Sequence, residues 1–279
     1  MLFESAHVRV TAEYGVASLW LAFPGSPVNA LDGARLNELD AALAAIEPNP
    51  FLHALVVRSA KPAGFCAGLH PSVAEVADRS ALAARGQRTC ARLASLPFTT
   101  IAFIDGPCLG AGLELALACD HRLCVATPLT LLGFPDRFTC FGGGTRLRGR
   151  IGRRAAAFVE SGRTLSGREA RDCGLVDRAF CARRTRIDLR TFLDQLERSR
   201  RVPDRARDET GSAHERRAFV RADLSGLGRP VAGPTDTGVL LARGFITPLE
   251  AEPMRARASA AEPVAAPADP LEPALRRVA

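Results

Sequence analysis

From Thr99 to Asp120 the chain runs from a β-branched apolar stretch, through a turn of small residues, into an apolar segment interrupted once. Thr99-Thr100-Ile101-Ala102-Phe103-Ile104 reads as a buried strand, and Gly110-Ala111-Gly112 opens a run, Leu113 to Cys119, that is apolar except for Glu114. A strand that passes directly into a buried helix restricts the fold to packed layers of alternating strands and helices. Small residues at the junction let a ligand come close to the main chain. The start of a helix offers unpaired N–H groups and the positive end of its dipole. A glutamate inside a buried first turn is costly unless it is hydrogen-bonded or used. The segment therefore implies an anion-stabilising backbone site with an acid/base beside it.

The same alternation extends over most of the chain. Val8-Arg9-Val10 and Val16 to Leu21 alternate with period two around Tyr14-Gly15, which predicts a β-hairpin. Leu31, Leu36, Leu39, Leu43 and Ile46 have helical spacing, with Asn29 or Asp32 as the cap. Leu55 to Ser59 predicts a strand, Val73 to Leu96 a helix, Arg122 to Ala126 a strand, and Ile151 to Glu160 and Gly167 to Cys173 further helices. Strands alternating with helices predict an α/β domain with parallel pairing and helical crossovers. That core is expected over 1–185, followed by a partly helical, divergent region over 186–252. The Ala/Pro-rich 253–279 is expected to be disordered or loosely docked, because such low-complexity sequence cannot bury enough apolar surface to fold alone.

The 279 residues suffice for a substantial core. No apolar run is long enough to span a bilayer, and MLFESAHVRV lacks the basic-then-apolar pattern of a signal peptide, so a cytoplasmic protein without membrane partners is expected. The eight cysteines are scattered, with no C-x-x-C pair and no zinc spacing, and are read as core thiols in a reducing compartment. The net charge of +7 comes from arginines, with Lys61 the single lysine, which argues for compositional bias rather than a nucleic-acid surface.

A second junction has the same construction. Gly64-Phe65-Cys66-Ala67-Gly68-Leu69-His70 follows the Leu55–Ser59 strand and precedes Ser72-Val73-Ala74-Glu75, which reads as a Ser-x-x-Glu capping box. Each junction can present a backbone N–H, and two such donors converging on one oxygen would make an oxyanion hole.

With these segments in this order, the chain resembles the crotonase (enoyl-CoA hydratase/isomerase) superfamily over roughly residues 5 to 180. The resemblance rests on Pro27-Val28-Asn29-Ala30-Leu31, Phe65 to Leu69, Ile104-Asp105-Gly106 through Asp120, Leu132-Gly133-Phe134-Pro135-Asp136, Gly142 to Leu147, and Ser161-Gly162-Arg163 through Gly174-Leu175-Val176. It implies a crotonase-like spiral core of ββα units. It also implies a thioester carbonyl held by the N–H groups of Leu69 and Ala111, lined by Ala67, Gly68, Gly110 and His70. Glu114 and Asp136 become the catalytic carboxylates, which move protons at the α and β carbons of an acyl-CoA or acyl-carrier thioester. No cofactor or metal is implied, and the family's trimers or hexamers are the expected assembly.

Three departures from the family pattern bear on the chemistry. Asp136 stands where a glutamate is usual, which shortens its reach by one methylene, about 1.5 Å. The stretch from Asp136 to Gly143 is shorter than the usual loop and lacks its Pro-Gly. His70 stands where an aspartate is common. Hydration or double-bond isomerisation is the leading expectation. Decarboxylation or thioester hydrolysis is a second, and a non-catalytic acyl-CoA-binding protein a third. Cys66 is expected to be inert, and Arg146 to brace the turn after the glycine run.

Overall fold

The computed structural model describes residues 1–75 and 79–199, and the expectations for 200–279 lie outside the described residues. The strands are β1 (Phe3–Glu4), β2 (Val8–Glu13), β3 (Val16–Leu21), β4 (Ala54–Ser59), β5 (Thr99–Ile104), β6 (Cys108–Leu109), β7 (His121–Val125), β8 (Leu131–Gly133), β9 (Thr164–Ser166) and β10 (Arg178–Phe180). The helices are α1 (Gly33–Ile46), α2 (Arg79–Ser95), α3 (Ala111–Leu117), α4 (Gly143–Ile151), α5 (Arg154–Ser161), α6 (Gly167–Asp172) and α7 (Thr185–Ser199), with a 3-10 turn at Pro71–Glu75.

β1, β2, β3, β4, β5, β7 and β10 form one sheet in that spatial order. The first three strands are antiparallel, and β3 onward pair in parallel. The hairpin turns at Tyr14-Gly15 as its alternation predicts, both residues having positive φ, the conformation a tight two-residue hairpin requires. The parallel pairs are linked by helical crossovers, which place α1, α2 and α3 against one face. Leu19, Leu21, Leu55, Val57, Ala102, Ile104 and Cys124 of the sheet are buried there with Leu36, Leu39 and Leu43 of α1, Leu93 of α2 and Leu113 of α3.

Period two sends the alternate residues of the same strands to the other face. Val56, Ile101, Phe103, Leu123 and Val125 pack there against Leu189 and Leu193 of α7, so the helix just beyond residue 185 closes the sheet from outside. On that face the Arg58 guanidinium lies over the rings of Trp20, at 4.3 Å, and Phe103, at 5.3 Å.

A smaller sheet, β6-β8-β9, stands beside the large one. Its parallel line is extended by isolated bridges, Cys66 to Cys108 and Leu31 to Leu69. Leu31 is therefore a bridge residue rather than the first turn of a helix. Asp32 caps α1 by accepting the Arg35 N–H at 2.9 Å, a contact worth about 1 kcal/mol. Between Ile151 and Glu160 the expected single helix is broken at Gly152, whose positive φ ends α4. The expected capping box at Ser72 also differs, because Pro71 is already in the 3-10 turn. His70 takes the capping place, its Nδ1 accepting the Ser72 N–H at 3.2 Å.

Candidate active site

Two strand ends bring the small-residue loops together. The Phe65 and Cys66 N–H groups both donate to the Pro107 carbonyl, at 3.0 and 3.1 Å, and the Leu109 N–H donates to the Cys66 carbonyl at 2.9 Å. The loop after β4 thus runs alongside the loop after β5. Gly68, at φ +108°, and Gly110, at φ +48°, meet at their tips in conformations other residues adopt at a cost. A Cβ on Gly68 would stand 3.7 Å from the Ala111 nitrogen, and one on Gly110 would stand 3.8 Å from the Gly68 Cα.

The backbone directions at this meeting follow from the pairing. The Leu31 N–H donates to the Gly68 carbonyl at 2.7 Å, and the His70 N–H donates to the Leu31 carbonyl at 2.7 Å. Strand alternation then turns the N–H of Leu69 away from Leu31. Ala111 is the first residue of α3, so its N–H has no intrahelical partner. Neither N–H donates to another main-chain group among the described residues. Of the other expected lining residues, Ala67 is half-buried, its N–H spent on the Asn29 carbonyl at 2.8 Å. The His70 side chain is half-buried and engaged with Ser72, its Nδ1 2.8 Å from the Ser72 Oγ.

Asp136 lies on the far side of Gly110. The Gly110 N–H donates to the Gly133 carbonyl of β8 at 2.9 Å, and the chain leaves β8 through a turn closed by the Arg137 N–H on the Phe134 carbonyl at 2.9 Å. Asp136 is on that turn, exposed, with Oδ2 3.9 Å from where a Gly110 Cβ would stand. The turn brings this carboxylate to the rim of the loop pair.

Glu114 is in a different environment. It is 1% exposed, and both its oxygens face the segment leading into α4. Oε1 accepts the Cys140 N–H at 2.9 Å, and Oε2 accepts the Phe141 N–H at 2.7 Å and the Gly143 N–H at 2.8 Å. The Gly143 donor is one of the unpaired N–H groups that a helix start leaves, and the Cys140 and Phe141 donors come from the loop that leads into it. Arg146 braces the same segment, its Nη1 donating to the Phe141 carbonyl at 3.1 Å.

The sequence reading missed two positioning residues. Asn29, read as a possible cap, is fully buried, and its Nδ2 donates to the carbonyls of Leu21 and Phe65 and to the Ser59 Oγ, at 3.2, 3.0 and 2.8 Å. It ties the ends of β3 and β4 to the first loop, and the signal available was a polar residue between Val28 and Ala30. Gln87, on the buried face of α2, donates from Nε2 to the Cys140 carbonyl at 2.9 Å.

Burial pushes the Cys66 thiol up to about 12, with a main-chain hydrogen bond of Gly68 and the Arg35 charge offsetting only part of the shift. At neutral pH it is a buried thiol, not a nucleophile. Among the described residues, no group of His, Cys, Asp and Glu is arranged to hold a metal ion. No described helix is long and apolar enough to cross a membrane.

Known proteins resemble this chain in sequence and fold. Residues 11–209 match the enoyl-CoA hydratase/isomerase family. The alpha subunit of the fatty acid oxidation complex of Vibrio cholerae is 39% identical over 170 residues, covering 57% of this chain and 24% of that protein. The corresponding Vibrio vulnificus subunit is 36% identical over 174 residues, covering 59% and 25%. The chain thus spans about a quarter of the length of these curated relatives. A crystal structure from Streptomyces avermitilis, solved as a candidate enoyl-CoA hydratase, superposes with a TM-score of 0.70 at 26% identity over 91% of this chain and 99% of that one. An enoyl-CoA hydratase structure from Geobacillus kaustophilus shares the fold, with a TM-score of 0.64 at 23% identity over 88% and 97%. The order of strands, the paired glycine loops and a match covering most of the sequence lead to one assignment: the chain belongs to the enoyl-CoA hydratase/isomerase family and has the crotonase fold.

Proposed function

We propose that the protein binds an acyl-CoA thioester, or the same thioester on a carrier protein, with its carbonyl oxygen between the N–H groups of Leu69 and Ala111. The observation that carries this reading is the contact of Gly68 with Gly110-Ala111, which brings two unspent main-chain donors from separate strand ends to one place. Donors fixed in this way stabilise the negative charge that develops on the oxygen as the thioester becomes an enolate. They need no reorientation when the charge appears. Ala67, Gly68 and Gly110 offer no side chain to obstruct the thioester, and His70 borders it. The Asp136 carboxylate, near Gly110, stands where an α-carbon proton would be taken or returned. The similarity to fatty acid oxidation subunits favours a fatty acyl chain, and the reaction is of the hydratase or isomerase type. A trimeric or hexameric assembly and a cytoplasmic site of action belong to the same reading.

Acetoacetyl-CoA tests the hole directly, because its enolate absorbs in the near ultraviolet and its keto form does not. Binding to two fixed donors raises the enolate fraction, so the band should grow on addition of protein and saturate. A thioester that binds with no growth of the band, or one that does not bind, would overturn the reading.

A further inference from the structure

The small sheet sets out the surroundings of the proposed hole in order. Leu109 of β6, Gly133 of β8 and Thr164 of β9 are register partners in one row. Gly110-Ala111 follows the first of them, the turn carrying Asp136 follows the second, and Arg163 precedes the third, so all three lie at the same end of the sheet. Neighbouring strands are about 4.8 Å apart, which puts the Arg163 main chain about 10 Å from the hole, beyond the Asp136 turn.

Arg137 joins Arg163 there. Among the described residues, Tyr14 and Arg137 are the non-glycine residues with positive φ, and the hairpin accounts for Tyr14. Arg137, at φ +59°, holds a conformation that few side chains adopt without cost. Strain of this kind persists where a site uses it. The Arg137 side chain is laid against Gly162, the residue before Arg163: a Cβ on Gly162 would stand 3.0 Å from its Nε and 3.3 Å from its Cγ. Both arginines are exposed, and neither guanidinium hydrogen-bonds or ion-pairs with a described residue. The Arg163 charge reaches Glu169, but Oε2 of Glu169 is already held by the Ser166 N–H and hydroxyl, at 2.8 and 2.7 Å. Arg146, Arg150 and Arg171, by contrast, are each tied to a carbonyl or a carboxylate.

We propose that Arg137 and Arg163 bind a second carboxylate at the far end of the acyl group, so that the preferred substrate is the thioester of a dicarboxylic acid of about six carbons. This rests on the thioester reading above, in which the carbonyl oxygen lies at Leu69 and Ala111 and the α carbon faces Asp136. The acyl chain then continues past the Asp136 turn toward β9. Five bonds of about 1.5 Å and one charge-assisted hydrogen bond of about 2.8 Å together span roughly the 10 Å available. The planar fork of a guanidinium matches a carboxylate in shape as well as charge. An acyl chain ending in a methyl group gains nothing from either arginine.

The test uses saturated thioesters, so that binding to the full chain is read by calorimetry without turnover. The mono-CoA thioester of hexanedioic acid should bind about 10-fold more tightly than hexanoyl-CoA, the margin two exposed ion pairs supply. That margin should shrink at high salt. The mono-CoA thioester of butanedioic acid, too short to reach the arginines, should bind no more tightly than butanoyl-CoA. The six-carbon pair carried on N-acetylcysteamine, which has the thioester but no phosphate, should show the same margin. Arg137→Asn and Arg163→Gln should each reduce the margin by about threefold, and the double variant should abolish it. Asparagine takes the left-handed conformation readily, so the thermal midpoint of Arg137→Asn should not fall. Equal binding of the two six-carbon thioesters by the wild type would overturn the proposal, as would a double variant that keeps the margin. A double variant that weakens both CoA thioesters alike, with no margin on N-acetylcysteamine, would assign the arginines to the CoA phosphates and also overturn it. If neither six-carbon thioester binds, the reading of the hole itself is what fails.

Discussion

Arg122 and Asp177 are joined twice: Asp177 Oδ2 accepts the main-chain N–H of Arg122 at 2.8 Å and its Nη2 at 3.0 Å. The guanidinium is fully buried, and its other donors reach the carbonyls of Leu175, Cys119 and Asp120 at 3.0, 2.7 and 3.1 Å. A cation here meets the carbonyls beyond the C-terminal end of α3 and holds the far end of the helix whose first residue carries one of the two proposed donors. Arg122→Leu takes the side-chain donors from the Leu175 and Cys119 carbonyls, while Asp177 keeps the main-chain N–H of residue 122 and Arg150, and the Asp120 carbonyl keeps Arg150. A loss of about 1–3 kcal/mol is expected, read as a lowered urea midpoint. Arg122→Lys should recover only part of it, since an ammonium cannot span this fan of acceptors.

Gly112 faces the first loop without clearance. A Cβ added there would fall within 2.7 Å of the Cys66 Cβ and 2.9 Å of its sulfur. Gly112→Ala should therefore push the two loops apart, at a cost of about 1–3 kcal/mol in stability. A displacement of about 1 Å at the hole is also expected to lower kcat/KM by about 10²-fold. A variant with wild-type kcat/KM would show that the loop contact does not set the donor geometry.

Asn29→Ala removes the bracket between the strand ends and the first loop. It leaves the carbonyls of Leu21 and Phe65 and the N–H of Phe23 without this partner, all in the interior. A stability loss of about 2–4 kcal/mol is expected, measured by urea denaturation. Asn29→Asp should be no better, because a carboxylate cannot donate to those carbonyls.

Much of this frame was legible in the sequence, and the failures have physical causes. The hairpin, β4, β5, α1 and α3 carry period-two or helical patterns of their own, and each was found within a few residues. β6, β8, β9 and β10 were missed because two or three residues carry no period; they exist through pairing with distant segments. The glycine loops were legible because only small residues fit where two main chains touch. The environment of Glu114 was not, since it depends on donors from Cys140, Phe141 and Gly143 reached across the fold. An acid in a familiar position says nothing about which groups will surround it.

Glu38 gives the acid limb of stability a specific contributor. Burial pushes its carboxyl up, but hydrogen bonds from the Ser5 hydroxyl and from the His7 side chain and main chain, with the His7 charge, bring it net below its ordinary 4.5. The Ser5 Oγ lies 2.5 Å from Oε2 and the His7 Nδ1 lies 2.6 Å from Oε1, tying β1 and β2 to α1. A carboxyl lowered in the folded state contributes stability that is fully present above its unfolded value and is lost as pH falls through its folded value. The urea midpoint should therefore fall below pH 4.5. That fall should be shallower in Glu38→Gln, with the two proteins converging at the acid end. Equal slopes would remove Glu38 from the titration.

Ala111→Pro isolates the second donor. Proline is well suited to the first position of a helix, where the N–H it lacks is unpaired in any case. The substitution deletes the Ala111 N–H and puts a ring carbon in its place, while α3 keeps the hydrogen bonds that begin with the Glu114 N–H on the Gly110 carbonyl at 3.1 Å. The thermal midpoint should stay near that of the wild type. Loss of one donor of an oxyanion hole lowers kcat by about 10²–10³-fold. The growth of the acetoacetyl-CoA enolate band should fall with it, because both depend on charge held at the same oxygen. If kcat falls while the enolate band grows as in the wild type, the Ala111 N–H acts on some other step than enolate formation.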